Sequence, residues 1–436
     1  MIEIIPVGGM NEVGRNMTAI GMNGKYVVVD MGIRLDSIIS LDDAEISKMS
    51  REELVRMDAI PDDSIMRGRK VSAILLTHGH LDHVGAITKM ISNYPVPIFG
   101  TPYTIEIVKH LMKEEGVHRS AERMLRAVPQ DSTVRVDGFT VEFITVRHSI
   151  PQTAALRIGG DGGSVLVASD FKLEDGSAEL KRMRRAMGDG TSAALVGSVR
   201  ADEPGRTPSE GDARRMLREV MEEVADSSNL IYVTTFSSHI ERLMSIAEIS
   251  LELGRLPVMV GRSLHSYCSI ATELGLASFP PELAVYRRPN TVRSELREIE
   301  LSRRDYVVMC TGHQGEPTSV LTRIADGRLP PRVEPGDHVI FSASVIPNPV
   351  NRANRETLEA KLRALGARIH RDVHVSGHAR REDTREFLER VKPQHIVPCH
   401  GTPEKLRAVA EIALEMGYGQ ESLHLLRNGA VLRLGD

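Results

Sequence analysis

Thr77-His78-Gly79-His80-Leu81-Asp82-His83 gathers three imidazoles and a carboxylate within six residues. It directly follows residues 71–76, an apolar run that reads as a strand. No packing requirement collects such side chains behind an apolar strand. Imidazole nitrogen and carboxylate oxygen are the ligands that zinc, a borderline ion, accepts. Gly79 permits a tight turn, so that His78 and His80 address one ion. Asp82 and His83 open the next helix and address a second ion nearby. Four ligands on one loop cannot complete two metal shells, so further ligands are expected at strand ends, where rigid scaffolds place reactive groups. His148 follows the run 141–146, Asp170 ends the run 164–169, and His400 follows the run 396–399. Cys399, beside His400, points the other way along an extended chain and reads as core.

Outward from the loop, strand and helix patterns alternate. Residues 2–7, 26–29, 229–234 and 395–398 read as strands. Residues 210–224, 240–253 and 355–365 have helical spacing, the last stopped by Gly366. Residues 36–66 are acidic and read as an insertion of helical character, with a capping box at Ser50-Arg51-Glu52-Glu53. This is α/β logic. At 436 residues two or three domains are expected.

Charge and cysteine usage bound the function. A formal net charge of −4 argues against a protein coated in positive charge for duplex binding. The pairs Arg184-Arg185, Arg287-Arg288, Arg303-Arg304 and Arg380-Arg381 each read first as solvated faces. Cys268, Cys310 and Cys399 lie far apart without metal-type pairing. The N-terminus MIEIIPVGG lacks a basic flank and a signal-type apolar run, and no run is long enough to span a bilayer. A cytoplasmic, reducing home is expected, with no membrane partner.

The histidine loop and its strand-end partners resemble the metallo-β-lactamase superfamily. Thr311-Gly312-His313-Gln314-Gly315-Glu316-Pro317, His374-Val375-Ser376-Gly377-His378-Ala379 and Pro398-Cys399-His400-Gly401 are similar to β-CASP nuclease motifs. Gly8-Gly9-Met10-Asn11-Glu12-Val13-Gly14-Arg15-Asn16, His148-Ser149-Ile150-Pro151 and Thr235-Phe236-Ser237-Ser238 look more narrowly like the ribonuclease J family, in its short archaeal form. The likeness covers nearly the whole chain. It implies an α/β fold: an αβ/βα metallo-β-lactamase sandwich built from residues 1–195 and 350–436, with an α/β β-CASP domain, residues 196–349, inserted and RNA in the cleft between. It implies one metal on His78, His80 and His148, a second on Asp82, His83 and His400, Asp170 bridging them, and Asp30 holding the histidine loop. Two Zn2+ are the expected cofactors, with Mn2+ or Mg2+ able to support activity.

The implied activity is 5′-to-3′ exonucleolytic hydrolysis of single-stranded RNA bearing a 5′-monophosphate, with DNA as a further substrate and a homodimer as the assembly. Two metals suit phosphodiester hydrolysis because they activate and align water and neutralise developing charge. Asp82 would orient that water, and His378 would contact the scissile phosphate and protonate the leaving oxygen. Ser238, Ser344, His374, Ser376 and His378 match the family's substrate-phosphate positions. One departure stands out. Where the family has an acid that partners the His378 position, this chain reads Leu195-Val196-Gly197-Ser198. An engineered change, a natural variant using Asp202 or Glu203, and a weakened enzyme all follow from that glycine. The alternatives to an exonuclease are a β-CASP endoribonuclease and a catalytically impaired RNA-binding paralogue.

Overall fold

The computed structural model describes every residue except 40, 42, 174–190, 288–290, 347 and 436. Arg184-Arg185 and Arg288 therefore lie outside the described residues. The chain forms two compact units, one of Met1–Ile38, Asp43–Thr207 and Gly377–Asp436, the other of Ile39–Asp42 and Pro208–Ser376. Domains of residues 1–195, 196–349 and 350–436 are expected from the sequence; the compact units divide at 207/208 and 376/377.

The first leg of the chain lays down β1 (Ile2–Gly8), β2 (Met17–Met22), β3 (Lys25–Val29), β4 (Lys70–Leu75), β5 (Ile98–Gly100) and β6 (Leu125–Ala127). It continues with β7 (Ser132–Val136), β8 (Phe139–Thr145), β9 (Ala154–Gly160), β10 (Gly163–Ala168) and β11 (Ala193–Gly197). Local chemistry explains two of the hairpins. Asn23-Gly24 joins β2 to β3 and Asp137-Gly138 joins β7 to β8, all four residues with positive φ. Such a two-residue turn matches the right-handed twist of paired strands, and Asn, Asp and Gly tolerate its dihedrals. Next come β12 (Ile231–Thr234), β13 (Leu256–Val260), β14 (Ala284–Tyr286), β15 (Tyr306–Cys310), β16 (His338–Phe341) and β17 (Arg368–His370). The return leg adds β18 (His395–Cys399) and β19 (Leu432–Leu434).

In the first unit, one sheet runs β19-β1-β2-β3-β4-β5-β6 and another runs β18-β11-β10-β9-β8-β7. Their inner faces share one apolar core that includes Ile4, Val27, Leu75, Val141, Leu156, Val165, Leu195 and Cys399. The outer face of the second sheet packs Leu166, Val196 and Ile396 against Phe387 and Leu388 of the helix Arg381–Val391 and Val409 and Ile412 of the helix Pro403–Glu415. The helix Pro102–Glu114 packs beside β5 and β6. This is a helix-flanked sandwich of two sheets, the αβ/βα arrangement expected from the sequence.

Strand register explains where the reactive groups meet. β10, β11 and β18 are parallel, with Ala168 opposite Val196 and Val196 opposite Pro398. Two residues further on, Asp170 and His400 emerge at the same level on either side of Gly197-Ser198. β4 ends at the same kind of edge, just before Thr77.

The second unit is one parallel sheet, β14-β13-β15-β12-β16-β17. Helix Glu210–Val224 precedes its first strand, helices Ile240–Glu252 and Arg262–Glu273 are set between its strands in sequence, and Leu358 and Leu362 of the helix Pro349–Ala364 join its core. That last helix begins earlier than residue 355, where its apolar stripe is first legible. Asn348 caps it, its side chain accepting from the Asn351 N–H, and Pro349 supplies the first helical residue. Within residues 36–66, the helices Asp43–Lys48 and Arg51–Arg56 form, and Ser50 and Glu53 make the reciprocal capping box.

Candidate metal centre

All seven ligands proposed from the sequence come together in the first unit. His78 Nε2 lies 3.1 Å from His80 Nδ1, and His148 Nε2 lies 3.2 Å from the same His80 nitrogen. Asp170 Oδ2 lies 3.6 Å from His78 Nε2 and 3.2 Å from His148 Nε2. The other carboxylate oxygen, Asp170 Oδ1, lies 3.5 Å from His83 Nε2 and 3.6 Å from His400 Nε2. Asp82 Oδ2 closes that second group, 3.7 Å from His83 Nε2 and 3.4 Å from His400 Nε2. Two ligands on a tetrahedral ion at ~2.0–2.1 Å stand about 3.3 Å apart. The observed separations fit that spacing, and most are too long for good hydrogen bonds.

Outer partners fix which ring nitrogen faces inward. Asp30, buried after β3, accepts from the Thr77 N–H at 2.9 Å, the Thr77 hydroxyl at 2.8 Å and His83 Nδ1–H at 2.7 Å. Because the Thr77 hydroxyl donates to Asp30, it accepts from His78 Nδ1–H at 3.0 Å. His148 Nδ1–H donates to the Gly377 carbonyl at 2.8 Å. A Cβ on Gly377 would stand 2.7 Å from that same His148 nitrogen, so the close approach requires glycine. The result is that His78, His83 and His148 all turn an Nε2 lone pair inward. His78 Nε2, His148 Nε2 and Asp170 Oδ2 are then three acceptors facing one point, with at most one proton from His80 between them. That is a place for a cation.

One atom makes the same case by being orphaned: Asp170 Oδ1 is buried without a hydrogen-bond partner among the described residues. A buried carboxylate oxygen left unpaired costs stability unless a cation takes it. The donor set therefore fits two divalent ions. The chemistry of the surroundings agrees. Burial holds His78 and His80 well below the usual imidazole range, which keeps them in the neutral, ligating form. His83 differs: burial opposes its charge, yet Asp170, Asp82 and Asp30 hold its pKa well above the usual value, so an ion there would take the place of a proton on Nε2. Burial alone would raise Asp170, but His400 and His83 keep it well below the carboxylate range.

Asp82, with 27% of its side chain exposed, and His378, with 23%, are the more open members of the cluster. They are the groups a substrate can reach. His378 Nδ1 stands 3.8 Å from Asp170 Oδ2, and its ring centroid is 4.9 Å from that of His148. Its carbonyl accepts from the Thr207 hydroxyl at 2.7 Å.

The candidate replacement acids are committed elsewhere. Asp202 pairs with Lys405 at 2.8 Å, and Glu203 pairs with Arg200 and, at 3.3 Å, with Arg380. At Gly197 itself, a Cβ would fall 1.7 Å from the Ser169 carbonyl oxygen. The backbone one residue before Asp170 occupies the space a side chain at 197 would need.

Sequence reasoning quoted Asn16 only within a motif. Its amide Nδ2 donates to the Asp82 carbonyl at 3.0 Å and lies 3.2 Å from His83 Nε2. Gly32 was passed over altogether, yet a Cβ there would stand 1.7 Å from the Asp82 carbonyl oxygen. Both residues seat the short helix Leu81–Val84 that carries Asp82 and His83.

Four phosphate-pocket candidates fall in the second unit, at the carboxyl ends of its parallel strands. Ser238 follows β12, Ser344 follows β16, and His374 and Ser376 follow β17. In open parallel sheets that edge is where ligands bind.

Comparison with known proteins agrees with the architecture. Residues 55–222 match the family described as "Beta-lactamase superfamily domain", residues 228–358 match "Ribonuclease J, beta-CASP domain", and residues 364–422 match "Zn-dependent metallo-hydrolase RNA specificity domain". The chain is 41% identical over 442 residues to "Ribonuclease J" of Pyrococcus abyssi, covering 100% of this chain and 97% of that protein. It is 39% identical over 440 residues to "Ribonuclease J" of Methanocaldococcus jannaschii, covering 99% and 98%. Against "Ribonuclease J" of Thermus thermophilus it is 31% identical and covers 74% of the longer protein. A solved structure of a protein of unknown function from Enterococcus faecalis shares the fold, with a TM-score of 0.67 at 19% identity over 99% of this chain and 100% of that one. The full-length match to archaeal relatives, over a sandwich whose strand ends gather seven His and Asp side chains, makes this chain a member of the ribonuclease J family, β-CASP proteins of the metallo-β-lactamase superfamily.

Proposed function

We propose that this chain is a zinc-dependent ribonuclease that degrades single-stranded, 5′-monophosphorylated RNA from its 5′ end. Family membership supports a metal-dependent RNA hydrolase. The observation that carries the hydrolytic reading is the pair of donor sets sharing Asp170. Two ions held there would supply Lewis acidity and an activated water for attack on phosphorus.

The chain's own residues do the rest. Asp30, Thr77 and Gly377 hold the imidazole tautomers of His83, His78 and His148. Asp82, whose carboxylate is partly exposed, would orient that water. His378, on the more open side of the cluster, would contact the scissile phosphate and give a proton to the departing 3′-oxygen. The P–O3′ bond breaks, leaving a 3′-hydroxyl on one side and a 5′-phosphate on the other. Ser238, Ser344, His374 and Ser376 hold the terminal phosphate. Hydroxyl and N–H donors suit a group that must dock and release at every cycle.

This reading includes Zn2+ as resident metal, Mn2+ or Mg2+ as substitutes, DNA as a secondary substrate, a cytoplasmic location and a homodimer. Among the described residues, no helix is long and apolar enough to cross a membrane. Gly197 favours a second reading, a catalytically impaired RNA-binding paralogue.

The test is 5′-labelled, 5′-monophosphorylated single-stranded RNA with metal-loaded protein. Immediate release of labelled mononucleotide is expected. A ladder of internal products would replace the exonuclease by an endonuclease, and binding without turnover would favour the impaired paralogue.

A further inference from the structure

Arg242 is fully buried in the second unit, and its guanidinium reaches three separate segments. Nε donates to Glu210 Oε1 at 2.5 Å and Nη2 to Glu210 Oε2 at 3.0 Å, a two-pronged clamp onto the first turn of the helix Glu210–Val224. Nη1 donates to the Ser342 hydroxyl at 2.7 Å and the Ser342 carbonyl at 3.1 Å, and reaches the Val373 carbonyl at 3.4 Å and His374 Nδ1 at 3.5 Å. The Ser342 hydroxyl in turn donates to the Val373 carbonyl at 2.8 Å. The Thr235 hydroxyl donates to the Ser342 carbonyl at 2.9 Å.

These contacts fall beneath particular places. Arg242 sits four residues after Ser238, Ser342 two residues before Ser344, and Val373 directly before His374 and three residues before Ser376. One guanidinium thus ties together the ends of β12, β16 and β17, the strand ends that carry the candidate phosphate-binding side chains. From this we propose that Arg242, clamped by Glu210, is the positioning residue that sets Ser238, Ser344, His374 and Ser376 into one site for the 5′-phosphate of RNA. The inference rests on the reading of those residues under Proposed function. Its physical basis is geometry. Glu210 neutralises the guanidinium, so the pair contributes fixed directions rather than net positive charge. Five donors in a rigid plane can register three backbone segments at once, which a lysine ammonium cannot.

The test compares kcat/KM on the same single-stranded RNA with a 5′-monophosphate and with a 5′-hydroxyl, for wild type and Arg242→Lys. Lysine keeps the charge and loses the fork. The expected result is a clear wild-type preference for the monophosphate, reduced at least tenfold in Arg242→Lys through a higher KM for the phosphorylated substrate. Metal content per chain should be unchanged. If Arg242→Lys lacks a cooperative unfolding transition, Ser342→Ala carries the test. It keeps the Arg242–Glu210 pair and removes the hydroxyl that links Arg242 to Val373, and a severalfold drop in the preference is expected. A wild type that prefers the monophosphate, with a folded variant that keeps the full preference or loses both substrates equally, would overturn the positioning role alone. A wild type with no preference would overturn the 5′-phosphate reading, and this inference with it.

Discussion

Each unit buries a polar cluster, and the two are built on opposite principles. Around Arg242, Glu210 and Ser342, opposite charges and matched donors and acceptors meet: the guanidinium donates to both Glu210 oxygens and to the Ser342 hydroxyl, and that hydroxyl donates to the Val373 carbonyl. Around Asp170, imidazole nitrogens and carboxylate oxygens crowd together at 3.2–3.6 Å, and the carboxylate oxygen Asp170 Oδ1 lacks a hydrogen-bond partner among the described residues. A satisfied cluster stabilises the fold it belongs to. An unsatisfied one lowers stability until something else completes it. The difference separates a framework from a binding site with no reference to motifs.

The largest expected effect comes from breaking the unsatisfied cluster. Asp170→Ala should abolish RNA hydrolysis, by at least ~10^3-fold if the ions supply several kcal/mol to the transition state. Metal-free Asp170→Ala should lose less stability than Glu210→Gln, because one of the two carboxylate oxygens it removes has no hydrogen-bond partner among the described residues. Breaking the satisfied cluster should cost more stability. Glu210→Gln leaves the buried guanidinium uncompensated and should cost about 3–5 kcal/mol in denaturant unfolding whether or not metal is present. If metal-free Asp170→Ala were the less stable of the two variants, the contrast between the clusters would be wrong.

A smaller effect is expected from the outer ring of the metal centre. Asp30→Asn removes an acceptor that fixes the His83 tautomer, and should lower metal affinity or activity roughly 10–100-fold. Metal titration followed by activity separates the two.

Gly197 sharpens the comparison from another side. Placing an acid there is the obvious way to restore the family pattern. The Ser169 carbonyl stands where the new Cβ would go, so Gly197→Asp should push on the backbone leading into Asp170. A loss of about 1–3 kcal/mol is expected, with reduced metal content, and Gly197→Ala should share it. Thermal unfolding and metal analysis of both variants check this. Higher activity with unchanged stability in the aspartate variant would mean that the backbone yields and that the chain is a disabled enzyme.

The smallest effect is a pH dependence. Burial works against the Glu210 carboxylate, but His239 and Arg242 hold its pKa well below the ordinary range. A depressed carboxylate contributes stability in full above its unfolded pKa of about 4.3 and loses it as pH falls further. The acid limb of wild-type stability should therefore steepen below about pH 4.3, and Glu210→Gln should flatten it.

The candidate metal ligands are legible because their chemistry is concentrated. Four sit on one loop, and the other three end apolar runs that could only be strands. The Arg242 clamp was illegible. Glu210 reads as an acid in a helix's first turn and Arg242 as one charge on an amphipathic helix, and neither pattern carries the burial that gives the pair its role. Gly197 was legible as a missing acid but not as a close approach, since only the parallel register of β10 and β11 brings Ser169 beside it. The early start of the helix Pro349–Ala364 was missed because its first turns lack the apolar stripe that marks the rest.

Metal stoichiometry is the most direct measurement of the central claim, that His78, His80, His148, Asp82, His83, His400 and Asp170 form one two-ion centre. Chelated protein would be titrated with Zn2+ by calorimetry, and bound metal counted after gel filtration, for wild type and Asp170→Ala. Two ions per wild-type chain are expected, with loss of tight binding at both positions when the shared carboxylate is removed. One ion per wild-type chain, or two ions still held tightly without Asp170, would contradict the claim.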